Sequence, residues 1–371
     1  MRTISLIILI LALSSCGGSD STSVAVDAPS PPAENLPDAN TYPGISWDTY
    51  APEDVNLRPS GIIDALDYAF KDTRNTQGVV IIRHGVIVGE RYAEGESEVS
   101  LATSWSTGKS FASALIGIAK EQNFIQSIDD PASNFLAPWE GTRKSEITIR
   151  AILEMRTGLA PASENVYTSR GDNGNQLSYS LERTIRTTPR TNNWEYQNTD
   201  SMLMAGILES ATGQNVLDYA DTHLFSKIGI NADWWTDEAG HAMTYCCIDA
   251  TTRDFARFGL LFARKGKWND EQIVSENWVN ESTTVPEGTN NPYYALQWWV
   301  SPAGGYFYSA GLHENNIYIF PELDLVVVRN SLYTKVGSSS IRNGGNYHAT
   351  LPPLDWDNVE FLSYITGAIT D

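Results

Sequence analysis

Apolar runs at strand spacing lie near both ends of this 371-residue chain, with helix-like segments between them, and that division limits the folds open to it. Gly78 to Tyr92 alternates around His84-Gly85, with Val79, Val80, Ile81 and Ile82 before the turn and Val86, Ile87 and Val88 after it, the pattern of a hairpin of two buried strands. Past residue 293, Tyr294 to Val300, Tyr306 to Ala310, Asn316 to Phe320 and Leu325 to Asn330 read as further strands, with turns at Gly304-Gly305 and from Pro321 to Asp324. Between these ends, Phe111 to Ala119 is apolar on nearly every side, as in a helix at the middle of a large protein. Asp130-Pro131 reads as a helix start. Thr148 precedes a short helix from Ile149 to Arg156, and Thr199 to Ala211, Asn215 to Lys227 and Thr252 to Arg264 each end near a glycine. These segments predict an α/β protein of the α+β sandwich kind. Its antiparallel sheet is built from the first hairpin and the last strands and is flanked by helices, with an all-helical lobe at about 125–250 inserted and a cleft between the lobes.

With 42% hydrophobic residues the chain can bury a large core. Residues 1–15 read as a targeting segment, with Arg2, the apolar run Ile4 to Leu13, and small residues after it. Leu13-Ser14-Ser15-Cys16 resembles the lipobox of bacterial lipoproteins, which implies cleavage before Cys16 and lipidation of its sulfur; an ordinary secretory signal is the alternative. Gly17 resembles the outer-membrane-sorted type. The expected location is therefore the cell envelope, lipid-anchored at the outer membrane facing the periplasm, or otherwise secreted or periplasmic. Residues 16–45, rich in Ser, Pro, Ala and Asp, read as a flexible tether, which leaves 46–371 as the folded domain. A formal charge of −20 repels phosphate backbones and excludes nucleic acid as a partner, so membrane attachment would come only through the lipid. Cys246 and Cys247 are adjacent, and a bridge between neighbours draws α-carbons closer than disulfides usually tolerate, so they read as two buried thiols. Five histidines without metal-ligand spacing give no support to a metal site, and no cofactor is called for.

Ser106 and Lys109 are three residues apart at the head of the apolar run, so on a helix the amine lies beside the hydroxyl. An unperturbed lysine, at about pKa 10.4, cannot accept a proton at neutral pH, so the pair predicts a covered pocket that lowers that value. Tyr196 in Tyr196-Gln197-Asn198 precedes the helix at Thr199. A phenol beside an ammonium can share and relay its proton, and Asn198 can hold a substrate amide or the lysine. The plain alternative is a buried aromatic with a helix-capping neighbour.

Ser-x-x-Lys opening an apolar helix, Tyr-x-Asn before a second helix and a glycine on a late strand together resemble the serine hydrolases of the class C beta-lactamase and penicillin-binding protein superfamily. Ser104-Trp105-Ser106 with Lys109-Ser110-Phe111, Ser127-Ile128-Asp129-Asp130-Pro131, and Thr252-Arg253-Asp254 with Ala256-Arg257-Phe258-Gly259 are similar to the branch containing esterases and 6-aminohexanoate-dimer hydrolase. The resemblance implies a beta-lactamase/transpeptidase-like fold, with Ser106 as acylated nucleophile, Lys109 as its proton acceptor and Tyr196 as the group that returns a proton to the leaving group. It also implies an oxyanion hole from the backbone amides of Ser106 and Leu312, with Asn198, Ser309 and Gly311 at the substrate; His313, two residues on, could supply a donor near the pocket or be a plain turn histidine. Where many members carry Lys-Thr-Gly or His-x-Gly, this chain has Ser309-Ala310-Gly311, and Ser309 offers no charge to a substrate carboxylate. Arg342 is a second residue that could reach the pocket. One of Trp298 and Trp299, and one of Tyr306 and Phe307, should face the cleft while the other packs inside. The expected activity is hydrolysis of small uncharged esters or linear amides through an acyl-enzyme. The alternatives are a D-alanyl-D-alanine carboxypeptidase or class C-type beta-lactamase acting on peptide or lactam, and an inactive lipid-anchored binding protein.

Overall fold

The hairpin of β1 (Thr76–Arg83) and β2 (Val86–Tyr92) does form, and it is completed by strands from the other end of the chain. A computed structural model describes residues 36–162, 174–191, 193–301, 305–333, 342–343, 346–347 and 351–371. The targeting segment 1–15, Cys16 and the tether up to residue 35 lie outside the described residues. Before the hairpin comes α1 (Pro59–Ala69), and after it β3 (Leu101–Thr103) and α2 (Gly108–Glu121). The helical stretch follows: α3 (Ile149–Leu153), α4 (Gln176–Leu181), α5 (Asn198–Thr212), and the short α6 (Val216–Ala220) and α7 (Ser226–Ile228). Next are β4 (Asp233–Trp234), β5 (Ile248–Thr251), α8 (Thr252–Ala263), a small hairpin of β6 (Lys267–Trp268) and β7 (Glu271–Gln272), and α9 (Glu276–Ser282). The chain closes with β8 (Trp299–Ser301), β9 (Tyr306–Gly311), β10 (Asn315–Phe320), β11 (Leu325–Ser331), the paired β12 (Arg342–Asn343) and β13 (Asn346–Tyr347), and α10 (Asn358–Thr366).

The main sheet has six antiparallel strands in the order β2-β1-β11-β10-β9-β8, with β1 and β11 paired from Thr76 opposite Ser331 to Arg83 opposite Leu325. Side chains alternate across it, so the sheet is apolar on both faces. Val79, Ile81, Leu325 and Val327 pack with Ile62, Leu66, Phe361 and Ile365 of α1 and α10. Val80, Ile82, Val326 and Val328 pack with Phe255, Phe258 and Phe262 of α8 and with the interior of the helical part. A second sheet, β3-β5-β4, ties the head of α2 to the segment before α8. Among the described residues no helix is long and apolar enough to cross a membrane.

Four local expectations are corrected. Asp130-Pro131 starts only a single-turn 3-10 segment, Ala132–Asn134, because the Ala132 and Ile149 amides bond across to the Ile147 and Asp130 carbonyls instead of within a helix. Tyr294 to Trp298 is a buried loop, with Gln297 at φ 68° and its side-chain amide spent on the Ile152 and Leu153 carbonyls; only Trp299 onward pairs as strand. The segment from Asn215 to Lys227 is broken by a π turn over Asp221–Phe225. Cys246 and Cys247 are bonded to each other, not two thiols. Consecutive α-carbons are close whatever the sulfurs do, and the left-handed backbone of Cys247 (φ 76°) swings both sulfurs to one side.

Candidate active site

Ser106 is the one residue from Ala102 to Ala119 that is not buried. It sits in a 3-10 turn, Trp105–Thr107, just before α2, and that turn is held from three sides. The Ser104 hydroxyl accepts the Cys247 and Ile248 amides at 3.1 and 2.8 Å, the Cys247 amide also reaches the Trp105 carbonyl, and Thr107 Oγ1 donates to the Asn315 carbonyl at 2.8 Å. One turn on, Lys109 is buried, with its Nζ 3.0 Å from Ser106 Oγ, 2.8 Å from Asn198 Oδ1 and 2.7 Å from the Tyr245 carbonyl. Burial alone pushes this amine well below its usual value, and no carboxylate opposes the shift. A neutral amine has two N–H bonds and one lone pair. The two carbonyl-type oxygens can only accept, so they take the N–H bonds and leave the lone pair facing the Ser106 hydroxyl.

Asn198 is the first residue of α5, and Tyr196 lies on the extended segment before it, 37% exposed, with Ser106 near enough to its hydroxyl to draw its pKa down. The Lys109 amine is 4.9 Å from the centre of the Tyr196 ring. Although part of the ring is exposed, protein atoms crowd the hydroxyl, and that desolvation pushes the phenol up to about 12 against a smaller downward pull from Ser106, so it holds its proton at neutral pH. This differs from a phenolate paired with an ammonium: no cation draws the phenol down. The approach segment is pinned by Arg156, which donates to the Arg190, Thr191 and Gly288 carbonyls and pairs with the buried Glu154 at 3.0 Å. Trp194 and Trp299 flank Tyr196 at 6.3 and 6.2 Å between ring centres, and Tyr294 stands edge-on to it at 6.2 Å. Of the two aromatic pairs, Trp299 joins this group while Trp298 and Phe307 pack in the core; Tyr306 turns to the α1 and α10 side, against Phe320.

On the sheet side, Gly311 ends β9 so close to the turn carrying Ser106 that a Cβ on it would lie 2.3 Å from the Ser104 carbonyl oxygen. Leu312 follows, half exposed, and His313 and Glu314 have left-handed backbones at φ 59° and 64°. The buried Arg329 holds this reversal by donating to the His313 and Glu314 carbonyls at 2.9 and 3.0 Å. Ser309 is buried on the same face of β9 as Phe307, its hydroxyl without a hydrogen-bond partner among the described residues. The structure thus brings Ser106, Lys109, Tyr196 and Asn198 together and sets Gly311 and Leu312 beside them. Arg342 lies on β12, and its side chain falls outside the described residues. Tyr245, Ser104, Arg156 and Arg329 were not anticipated. Three of them act through backbone oxygens or amides far away in sequence, which leave no local signal. Among the described residues no group of three or more His, Cys, Asp or Glu side chains could hold a metal ion.

One further acid lies near. Asp200, on α5, is buried, accepts from Thr157 at 2.8 Å, and leaves its other oxygen unpartnered. Burial pushes its carboxyl up to about 7. Between the unfolded value near 4 and that pH the native state holds more protons than the unfolded chain, so stability falls as pH rises through this window, by about 1.4 kcal/mol for each pH unit crossed. Asp200→Asn should flatten this slope in thermal melts taken from pH 4 to 8 and raise Tm at pH 8; a native-like slope in the variant would assign the pH dependence elsewhere.

A serine and a buried lysine at the head of a central helix, beneath the end strands of an antiparallel sheet with helices on both faces, define a protein of the beta-lactamase/transpeptidase-like fold. The profile of the Beta-lactamase family matches residues 64–344, and the chain belongs to that family, among the hydrolases of the beta-lactamase superfamily. It is 22% identical over 288 residues to the 6-aminohexanoate-dimer hydrolase of Paenarthrobacter ureafaciens, covering 69% of this chain and 72% of that protein. Among solved structures, a Bacteroides dorei protein assigned as a beta-lactamase superposes with a TM-score of 0.67 at 17% identity, over 84% of this chain and 99% of the other. The penicillin binding protein of Bacillus halodurans gives 0.59 at 13%, over 73% and 94%.

Proposed function

We propose that this chain is a serine hydrolase that cleaves small uncharged esters or linear amides through an acyl-enzyme, with Ser106 as nucleophile, Lys109 as base and Tyr196 as proton carrier. The observation that carries this reading is the buried Lys109 amine, whose proton affinity burial lowers, set between Asn198 Oδ1, the Tyr245 carbonyl and the Ser106 hydroxyl; as a free base it gives its two N–H bonds to the first two and its lone pair to the third. Attack of Ser106 Oγ on the substrate carbonyl passes the hydroxyl proton to Nζ. The phenol of Tyr196, beside Ser106, delivers its proton to the leaving oxygen or nitrogen and is refilled from the Lys109 ammonium. Water then repeats the sequence on the acyl-enzyme. The Ser106 and Leu312 amides are proposed to hold the oxyanion. Preference for uncharged substrates follows from Ser309, which puts a buried hydroxyl where a cation would bind carboxylate, and from the aromatic surface of Trp194, Tyr196 and Trp299.

A fluorophosphonate should add one adduct to the protein at Ser106 and none to Ser106→Ala. In a panel of p-nitrophenyl esters, nitrocefin and a D-alanyl-D-alanine peptide, the best ester should exceed nitrocefin in kcat/KM by about a hundredfold or more. Nitrocefin turnover equal to the best ester would replace this substrate class with lactams, and peptide turnover with the carboxypeptidase reading.

A further inference from the structure

The turn that supplies Lys109 with its carbonyl partner is closed by the bond between Cys246 and Cys247, and both sulfurs are buried. The nucleophile's segment, the head of α2 and α5 all touch this turn. The Cys247 amide bonds to the Ser104 hydroxyl and the Trp105 carbonyl, one and two residues before the serine. Gly108 packs so tightly on it that a Cβ there would lie 2.8 Å from the Cys246 carbonyl carbon and oxygen. Thr244 donates to the Ser201 carbonyl of α5, the helix that begins at Asn198. The Tyr245 carbonyl meets the amine at 2.7 Å, and the Trp234 indole donates to the Cys246 carbonyl at 2.8 Å. Cys247 holds φ 76°, a left-handed backbone that a non-glycine residue leaves unless something retains it. We propose that the Cys246–Cys247 bond is a positioning element of the catalytic apparatus, locking the turn that seats Lys109 against Ser106, so that opening it uncouples the base from the nucleophile. This rests on the reading of Ser106 and Lys109 given above.

The bond has a defined way to open. A dithiol attacks one sulfur through its thiolate and displaces itself with its second, leaving two electrons and two protons on Cys246 and Cys247 as thiols and departing as its own cyclic disulfide. Once released, Cys247 can relax towards negative φ, the Tyr245 carbonyl swings off the amine, and water enters. The titratable groups facing Lys109 are the Tyr196 phenol, from the segment before α5, and the Tyr245 ring, from the turn itself. Burial is what lowers the amine's proton affinity, so wetting it restores that affinity and leaves less free base at neutral pH.

The test compares the full-length native protein, the Cys246→Ser/Cys247→Ser double variant, and native protein reduced by dithiothreitol in urea and refolded by dilution. Each is followed by fluorophosphonate labelling at Ser106 and by the pH profile of ester kcat/KM, with alkylation and mass spectrometry of the peptide carrying both cysteines. Native protein should carry the bonded pair. The double variant, folded by circular dichroism, should label at least about tenfold more slowly at pH 7, with the acid limb of its profile about one pH unit higher. A folded variant with native labelling and a native limb overturns the proposal, as does active native protein whose two sulfurs alkylate without reductant. If the double variant fails to fold, the reduced protein decides. Loss of labelling in proportion to free thiol, counted by alkylating a parallel aliquot and reversed on reoxidation of the unalkylated protein, supports the proposal; full labelling at full reduction overturns it. Native protein that takes no adduct at Ser106 removes the hydrolase reading and this inference together, whereas an unchanged variant removes the inference alone.

Discussion

A Lys109→Met variant should fold, yet acylate Ser106 about 10³- to 10⁴-fold more slowly than the native protein, close to the floor set by Ser106→Ala. Methionine matches the length of the lysine stem and suits a dry pocket, so the packing around α2 survives while the lone pair is gone. Asn198 Oδ1 and the Tyr245 carbonyl lose a donor, which costs about 1–3 kcal/mol each, offset by no longer burying an amine. Lys109→Arg should be equally slow and less stable, because guanidinium keeps its charge in the same cavity. The variant also carries a pH signature. The native amine sits well below its usual value, so between that point and about pH 10.4 the unfolded chain holds one more proton, and native stability rises with pH. Lys109→Met should lose this rise in thermal melts. Labelling within tenfold of native would remove Lys109 as the base.

Gly311→Ala is the second large effect expected. Its Cβ would stand 2.3 Å from the Ser104 carbonyl oxygen and 2.7 Å from that of Asn315. Both are backbone atoms, so neither can rotate aside as a side chain would. The end of β9 must lift away from the nucleophile's turn, taking the Leu312 amide with it and widening its separation from the Ser106 amide. If those two amides receive the oxyanion, kcat should fall about 10²- to 10³-fold with little change in KM, because the loss is felt only as negative charge develops. Thermal stability should drop modestly, since β9 remains paired to β10. A variant within threefold of native kcat would place the oxyanion elsewhere.

The sheet was legible because its strands are buried on both faces and announce themselves as continuous runs of Val and Ile: β1, β2, β10 and β11 fall within a residue or two of where alternation and turns put them. Helix α8 starts at Thr252, where it was expected, behind a capping box of Thr251 and Asp254. Helices α1 and α10 went unread at the two ends of the chain, because their burial comes from packing on each other and on the sheet, not from a strong local pattern. At the site, Ser106, Lys109 and Tyr196 were legible through spacing and resemblance. The rest was not, for a physical reason. A carbonyl at Tyr245 or a guanidinium at Arg329 acts by where the backbone passes, and identity along the chain carries no trace of that. The vicinal bond was misread because general disulfide geometry was applied to neighbours that a single backbone dihedral can bring together.

The sheet's closure from both ends governs how this protein can be made. Thr76 and Arg329 are hydrogen-bonded although 253 positions separate them, so the first strand to leave the ribosome waits for nearly the last before it gains its neighbour. Until then the hairpin exposes an apolar edge, the kind of surface that pairs wrongly when left uncovered. Shortening the chain before β11 would abolish the central pairing, so truncated products should be cleared by proteolysis before they accumulate.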